Sequence, residues 1–261
     1  MTDIVTERPG RILPIQLNRP SKKNAITSAI YITMADLLNA ASKYDRVRVV
    51  IWHGAGDSFC AGNDLDDFLK DPPGSQDSPQ SRLIDVFIAF DKPIVAAVHG
   101  AVIGGGTTVL THFDFVYAGE SAKFQMPFIN LALVPEFGTS YSIPASIGYL
   151  RAAELIQLGQ PFDVQRAAEL GLATRVMRDQ KLLATATERA QKLAEKPASA
   201  LEACNRLVRQ PVRTQLEQAA KLENEEYSVR LPSADAKEAI TAFFTKRKPD
   251  FNWKTDSATV A

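Results

Sequence analysis

The apolar positions of this chain fall into short continuous runs in the first half and into helical spacings in the second. ILPIQL (Ile12 to Leu17) is a β-rich run that predicts a strand, and the Asn18-Arg19-Pro20-Ser21 segment after it predicts a loop. From Thr27, a residue type suited to an N-cap, apolar side chains recur at Ile30, Met34, Leu37, Leu38 and Ala41, which is one face of an amphipathic helix. Val47 to Trp52 (apolar but for Arg48), Ile94 to Val98 and Phe115 to Ala118 lack polar alternation, as strands of a parallel sheet covered on both faces do. Strands alternating with helical patterns give the α/β class. Asp71 to Ser81, DPPGSQDSPQS, reads as an exposed, mobile loop bordering the site.

After Ser142 the strand signals fade. Helices are expected at about Ser146 to Leu158, stopped by Gly159, and at Val164 to Leu170, stopped by Gly171. Three further helical segments follow to about Lys246, with the last dozen residues frayed. The expected organisation is one core over residues 1–200 with a helical region over 201–261.

Composition narrows the function classes. A chain of 261 residues that is 45% hydrophobic can bury a large core. Lysine plus arginine and aspartate plus glutamate each total 30, so no bulk field draws it to nucleic acid or to an anionic membrane. The opening MTDIVTERPG carries acids and no apolar run, unlike a signal or transit peptide, and no stretch approaches the roughly 20 apolar residues that cross a bilayer. Cys60 and Cys204 stand far apart without metal spacing, and the three histidines lack it too. A cytoplasmic, metal-free protein is expected.

Several candidate motifs lack their context. Gly54-x-Gly56 follows a strand but has no third glycine opening a helix, so a dinucleotide site is disfavoured. Cys60 near His53 or His99, and Ser140 in GTSYS, lack the surroundings of a nucleophile, and Cys60 reads as a small core residue. Gly104-Gly105-Gly106 is more telling, because consecutive glycines let backbone N–H groups approach a ligand. A helix starting there would aim the Gly105 N–H and the positive end of its dipole at a developing oxyanion.

Three segments together, SFCAGNDL (58–65), KPIVAAVHGAVIGGG (92–106) and FDFVYAGESAKFQMPFINLALVPEFGTS (113–140), resemble the crotonase superfamily of enoyl-CoA hydratases and isomerases. Asn18-Arg19-Pro20 with Asn24-Ala25-Ile26 resembles its N-terminal substrate loop, and AAELGLATRV (167–176) its helix-to-strand segment. The resemblance implies a spiral of ββα units with a C-terminal helical oligomerisation region, packed as a homotrimer or a dimer of trimers. It implies an oxyanion hole from the N–H groups of Asn63 and Gly105, a backbone role for which the identity of the side chain at Asn63 matters little. The acyl-CoA substrate would lie along Ala25, Ala61, Asp64 and Leu65, with Lys22 and Lys23 toward its phosphates and Phe244 and Lys246 closing over it. No separate cofactor is implied, because coenzyme A is part of the substrate.

The two glutamates of the hydratase pattern fall on Thr108 and Phe128, so the pair of carboxylates that hydration needs is absent. Glu136, flanked by Val134, Pro135 and Phe137, resembles instead the single glutamate of a Δ3,Δ2-enoyl-CoA isomerase branch. The expected chemistry is C2-to-C4 proton transfer by Glu136 through an enolate. Hydration or another crotonase-type reaction is the alternative, and a non-catalytic acyl-CoA-binding role a further one. Asp114 and Glu120 read as structural, and Asp64 also as a cap of the oxyanion loop.

Overall fold

A computed structural model of the chain describes residues 2–7, 10–68 and 78–251. Strand β1 (Ile4–Thr6) pairs antiparallel with β2 (Ile12–Leu17), and helix α1 (Ser28–Lys43) carries the chain over to β3 (Val49–Gly54), parallel to β2. The Thr27 side chain accepts from the Ile30 N–H and so caps α1, as its residue type predicts. A short helix α2 (Leu65–Phe68) and then α3 (Pro79–Ala89) precede β4 (Ile94–Val98), which adds parallel to β3. β3 starts and ends two residues later than its apolar run suggests.

From β4 the chain turns into a short strand β5 (Ala101–Ile103) and helix α4 (Gly105–Thr108), then returns in β6 (Phe115–Gly119) and turns again into β7 (Lys123–Gln125). The long strands lie in one sheet of order β1-β2-β3-β4-β6, while β5 and β7 pair parallel in a second, smaller sheet. Cys60, beyond β3, makes a bridge to Val102 of β5, so each turn of this spiral repeats the step from large sheet to small.

Alternate residues of the sheet face opposite layers, and both are covered. Val50 and Trp52 pack with Phe87 and Ile84 of α3 and Met34 and Leu38 of α1. Burying each such side chain contributes about 1.5–3 kcal/mol. Val49, Ile51, Val95 and Ala97 face the other way.

Beyond Ser142 the structure sets two short strands among the helices, one of them at the end of residues 167–176, where the resemblance implies a helix-to-strand segment. The helix expected from Ser146 is two helices, α5 (Thr139–Ile147) and α6 (Tyr149–Leu158), separated where Gly148 adopts φ 84°. Strand β8 (Phe162–Asp163) pairs with β7, α7 (Val164–Glu169) follows, and β9 (Arg175–Met177) adds to the open edge of β6. Both strands are too short to show periodicity, and their pairing comes from distant partners.

Helix α8 (Asp179–Ala194) then covers the second face of the sheet, with Leu182, Ala186, Ala190 and Ala194 down one side to allow close approach. After it come α9 (Ala198–Arg209), α10 (Arg213–Arg230) and α11 (Ala234–Phe244). There are four helices beyond α7 where three were expected, because Pro197, Pro211 and Pro232 divide the pattern. Residues 71–77 of the expected loop, and the last ten residues of the expected frayed end, lie outside the described residues. Ser78 to Ser81, placed by sequence in that loop, instead begin α3. The Ser78 hydroxyl accepts from the Ser81 N–H, and Pro79 occupies the first turn.

Candidate active site

Two backbone N–H groups converge where the spiral brings the segment beyond β3 alongside β5. Gly62 sits at φ 89°, and a Cβ there would lie 2.9 Å from the Ile103 carbonyl oxygen and 3.7 Å from the Gly105 nitrogen. Gly104 at φ 53° caps α4, so the Gly105 N–H belongs to a first helical turn and has no intrahelical acceptor. Neither it nor the Asn63 N–H donates to another described residue. Both residues line one cavity of about 370 Å³.

Of the residues expected around the substrate, Lys22, Ala25, Ala61, Asp64, Leu65 and Phe244 line this cavity with Asn63 and Gly105. Lys23 does not, and its ammonium lies 3.8 Å from Asp57 instead. Lys246, at φ 53° just past α11, is also outside the wall. Asp64 spends its carboxylate on Arg19 at 2.9 Å and on the N–H groups of Asp66 and Asp67, which makes it the cap of α2. Burial opposes that charge, but Arg19 and the two N–H groups hold Asp64 below the usual carboxylate range. Arg19 also donates to the Ala25 carbonyl, and the buried Asn24 amide donates to Ala55 and Ser58, which fixes the loop around the cavity mouth.

Glu136 lies behind Gly105 rather than on the cavity wall. It is 3% exposed, and its Oε1 is 2.8 Å from where a Cβ on Gly105 would stand. Gln80 of α3 donates a short hydrogen bond to Oε2, whereas the buried Oε1 has no hydrogen-bond partner. Burial pushes the Glu136 carboxyl up to about 7; the Gln80 amide opposes this, the nearby Glu223 carboxylate adds to it, and the Asn63 amide pulls it down weakly. A base with one oxygen pinned and the other unpaired can accept a proton in a defined direction.

The turn carrying Glu136 is unusual. Phe137 and Gly138 both take left-handed conformations, at φ 65° and 68°. For Phe137 this costs about 1–2 kcal/mol, offset by burying its ring against Tyr31 and Phe87. Thr139 donates from both its N–H and its hydroxyl to the Glu136 carbonyl. Glu223 of α10 accepts from the N–H groups of Gly138 and Ser140, both at 2.7 Å, in place of a local cap for α5.

The enoyl-CoA hydratase/isomerase family profile matches residues 7–254. The chain belongs to that family. It is thus an acyl-CoA enzyme of the crotonase type. It is 31% identical over 252 residues to a 2,3-dehydroadipyl-CoA hydratase of Escherichia coli, covering 96% of this chain and 99% of the relative. It is 33% identical over 252 residues to enoyl-CoA delta isomerase 2 of Rattus norvegicus, covering 94% of this chain and 64% of that protein. The crystal structure of an enoyl-CoA hydratase/isomerase from Pseudoalteromonas atlantica superposes with a TM-score of 0.91 at 35% identity, over 96% of this chain and all of that one. The ββα spiral described above is therefore the crotonase fold.

Within this enoyl-CoA hydratase/isomerase family member, Thr108 is buried and its hydroxyl donates to the Gly104 carbonyl, while Phe128 contributes an apolar wall. The Asn63 side chain has contacts of its own beside the backbone donor. Its Oδ1 accepts from the Tyr31 hydroxyl at 2.7 Å, which anchors the donor loop to α1, and its amide lies near enough to Glu136 to lower that carboxyl weakly without bonding to Oε1. Three further residues escaped the sequence reading. Gln80 was hidden in a presumed loop, and Tyr227 and Glu223 come from a helix some ninety residues beyond Glu136, where no local pattern signals them. Cys60 is buried, with its thiol pushed up to about 12 by burial, in keeping with a core residue. Asp114 accepts from the Ile94 N–H between two strands, a structural role. No described helix is long and apolar enough to cross a membrane.

Proposed function

We propose that this enzyme is a Δ3,Δ2-enoyl-CoA isomerase in which Glu136 takes a proton from C2 of a 3-enoyl thioester and returns it at C4. The N–H groups of Asn63 and Gly105 hold the thioester oxygen as it becomes an enolate. The observation that carries this reading is the unpartnered Oε1 of Glu136, buried against Gly105 and so beside the donor pair. One carboxylate near neutrality suffices for a transfer in which the same proton leaves and returns. Each donor contributes on the order of 3–4 kcal/mol of barrier reduction.

Support also comes from what surrounds the site. Phe128, Leu131, Leu133 and Phe243 give the cavity an apolar lining suited to an acyl chain. Lys22 at its mouth is suited to the coenzyme A phosphates. Exposed Tyr149 and Leu150 fit burial in a homotrimer or a dimer of trimers, working in the cytoplasm. The test is the Glu136→Gln variant with a 3-enoyl-CoA substrate: isomerisation should collapse with substrate binding retained, and wild-type turnover would exclude Glu136 as the base.

The second reading is enoyl-CoA hydration, favoured by the likeness to the Escherichia coli hydratase. Against it stand Thr108 and Phe128 where the resemblance puts the two hydratase acids, and a Glu223 whose oxygens are both engaged by backbone N–H groups. Rapid loss of conjugation from trans-2-enoyl-CoA with the purified protein would decide for hydration.

A further inference from the structure

Glu136 is flanked by two elements, the left-handed turn that carries it and the first turn of α3 that carries Gln80. Adjacent residues of α10 hold both. Glu223 accepts from Gly138 and Ser140 on the turn, and Asn224 donates to the Ser81 hydroxyl, one residue from Gln80, at 3.0 Å. Glu223 is 5% exposed, and no described lysine or arginine is paired with it, so its charge is balanced by those N–H groups and the start of α5. Without an acceptor there, the buried Gly138 N–H would be orphaned and the Ser140 N–H would lose its partner, at the point where Phe137 is already strained.

We propose that Glu223 is a positioning residue for the reaction: from α10 it locks the Glu136-Phe137-Gly138 turn and sets a second buried carboxyl near the Glu136 carboxylate. This rests on the reading of Glu136 as the base. The other groups that bear on Glu136 are Tyr31 of α1, Cys60 beyond β3 and Tyr227 of α10, with His112 bonded to the Phe137 carbonyl. Burial pushes both tyrosines well above their usual range and the Cys60 thiol up to about 12, and it pushes His112 down to about 4. All four stay uncharged around neutrality. Glu223 is pushed up to about 7 by its own burial, so among these groups it alone changes charge together with Glu136. The two carboxyls titrate as a pair.

The test uses the full-length enzyme and the variants Glu223→Gln and Glu223→Asp. The Glu136 carboxyl band, identified by its loss in Glu136→Gln, is followed by infrared difference spectroscopy against pH. Hydrogen exchange is measured by mass spectrometry on the peptide covering residues 136–142. In E223Q the Glu136 midpoint should fall by about one pH unit. Exchange in the peptide should rise about tenfold, and kcat for isomerisation should drop about tenfold with KM little changed. In E223D, which keeps the charge but is too short to reach both N–H groups, exchange should rise while the midpoint stays near wild type.

An unchanged midpoint and unchanged exchange in E223Q would overturn the proposal. So would faster exchange with a fixed midpoint and proportional loss of both activity and thermal stability, which marks a purely structural cap. Should the wild type fail to isomerise 3-enoyl-CoA, the isomerase reading falls, while the midpoint and exchange data still decide the role of Glu223.

Discussion

Glu136 and Glu223 are two buried carboxyls in neighbouring parts of the molecule, and burial pushes both up to about 7. They differ in what their oxygens touch. Glu223 gives one oxygen to the Gly138 N–H and the other to the Ser140 N–H, so both of its oxygens are engaged by the backbone. Glu136 has Oε2 on Gln80 and Oε1 unpartnered beside Gly105. A raised pKa therefore marks both residues, and only the hydrogen-bond inventory separates the proposed base from its support.

Replacing Glu136 by Gln should separate the two most sharply. Loss of the general base is expected to lower kcat on 3-enoyl-CoA by about 10³-fold. Wild-type activity should rise with pH through about 7 and then level, because only the carboxylate accepts a proton. Stability has the opposite sign. A carboxyl whose folded pKa lies above its unfolded value favours the native state at low pH, and that contribution is lost as pH rises through about 7. E136Q should thus match the wild type in melting temperature near pH 4, below the ordinary value of 4.5, and exceed it near pH 8. Equal melting curves at both pH values would mean that the carboxyl is not shifted upward.

Next in size is Gly105→Ala, whose new Cβ would fall 2.8 Å from Oε1 and push the carboxylate away. A displacement on the order of 1 Å costs about 10²-fold in rate. Gly106→Ala makes the control: its Cβ would meet the Cys60 carbonyl at 2.5 Å, so it should lower the melting temperature rather than act through Glu136. Gln80→Leu should cost about 1–3 kcal/mol at neutral pH by stripping Oε2 of its donor. Because Gln80 lowers the Glu136 pKa, the acid limb of the rate profile should move upward in this variant. A downward move would contradict the assigned direction of that bond.

The same contrast explains what the sequence could reveal. Ile12 to Leu17 and Ile94 to Val98 both have the bounds expected from their sequence: the first alternates buried and half-buried positions between turn signals, and the second, buried throughout, leaves no polar alternation to misread. Thr27 and Gly104 carry their own capping signals. Glu136 was legible only by resemblance, because a carboxylate after a proline has no local mark of burial. Gln80 had one available signal, Ser78-Pro79 as N-cap and first helical position, masked by the proline and serine content around it. Glu223 had none: its partners are 83 and 85 residues away, and an acid within a polar helix looks solvated until that helix docks. Gly148 was overlooked as a break because helical spacing continues across it, and only its backbone conformation ends α5.

The smallest expected effect lies at the mouth of the cavity and sharpens the comparison from outside. Lys22 lines the opening with its side chain 57% exposed, and its ammonium is 3.8 Å from Asp66, a contact that exposed pairs of this kind hold only weakly. A phosphate arriving there competes with one distant carboxylate and with water. Lys22→Ala should therefore raise KM for an acyl-CoA about threefold at low salt without changing kcat, with the difference vanishing as salt screens the exposed charge. Lys23, turned toward Asp57 and outside the wall, should matter less. If Lys22→Ala instead lowers kcat at fixed KM, the mouth is coupled to the Glu136 turn. The division between a binding rim and a catalytic interior would then fail.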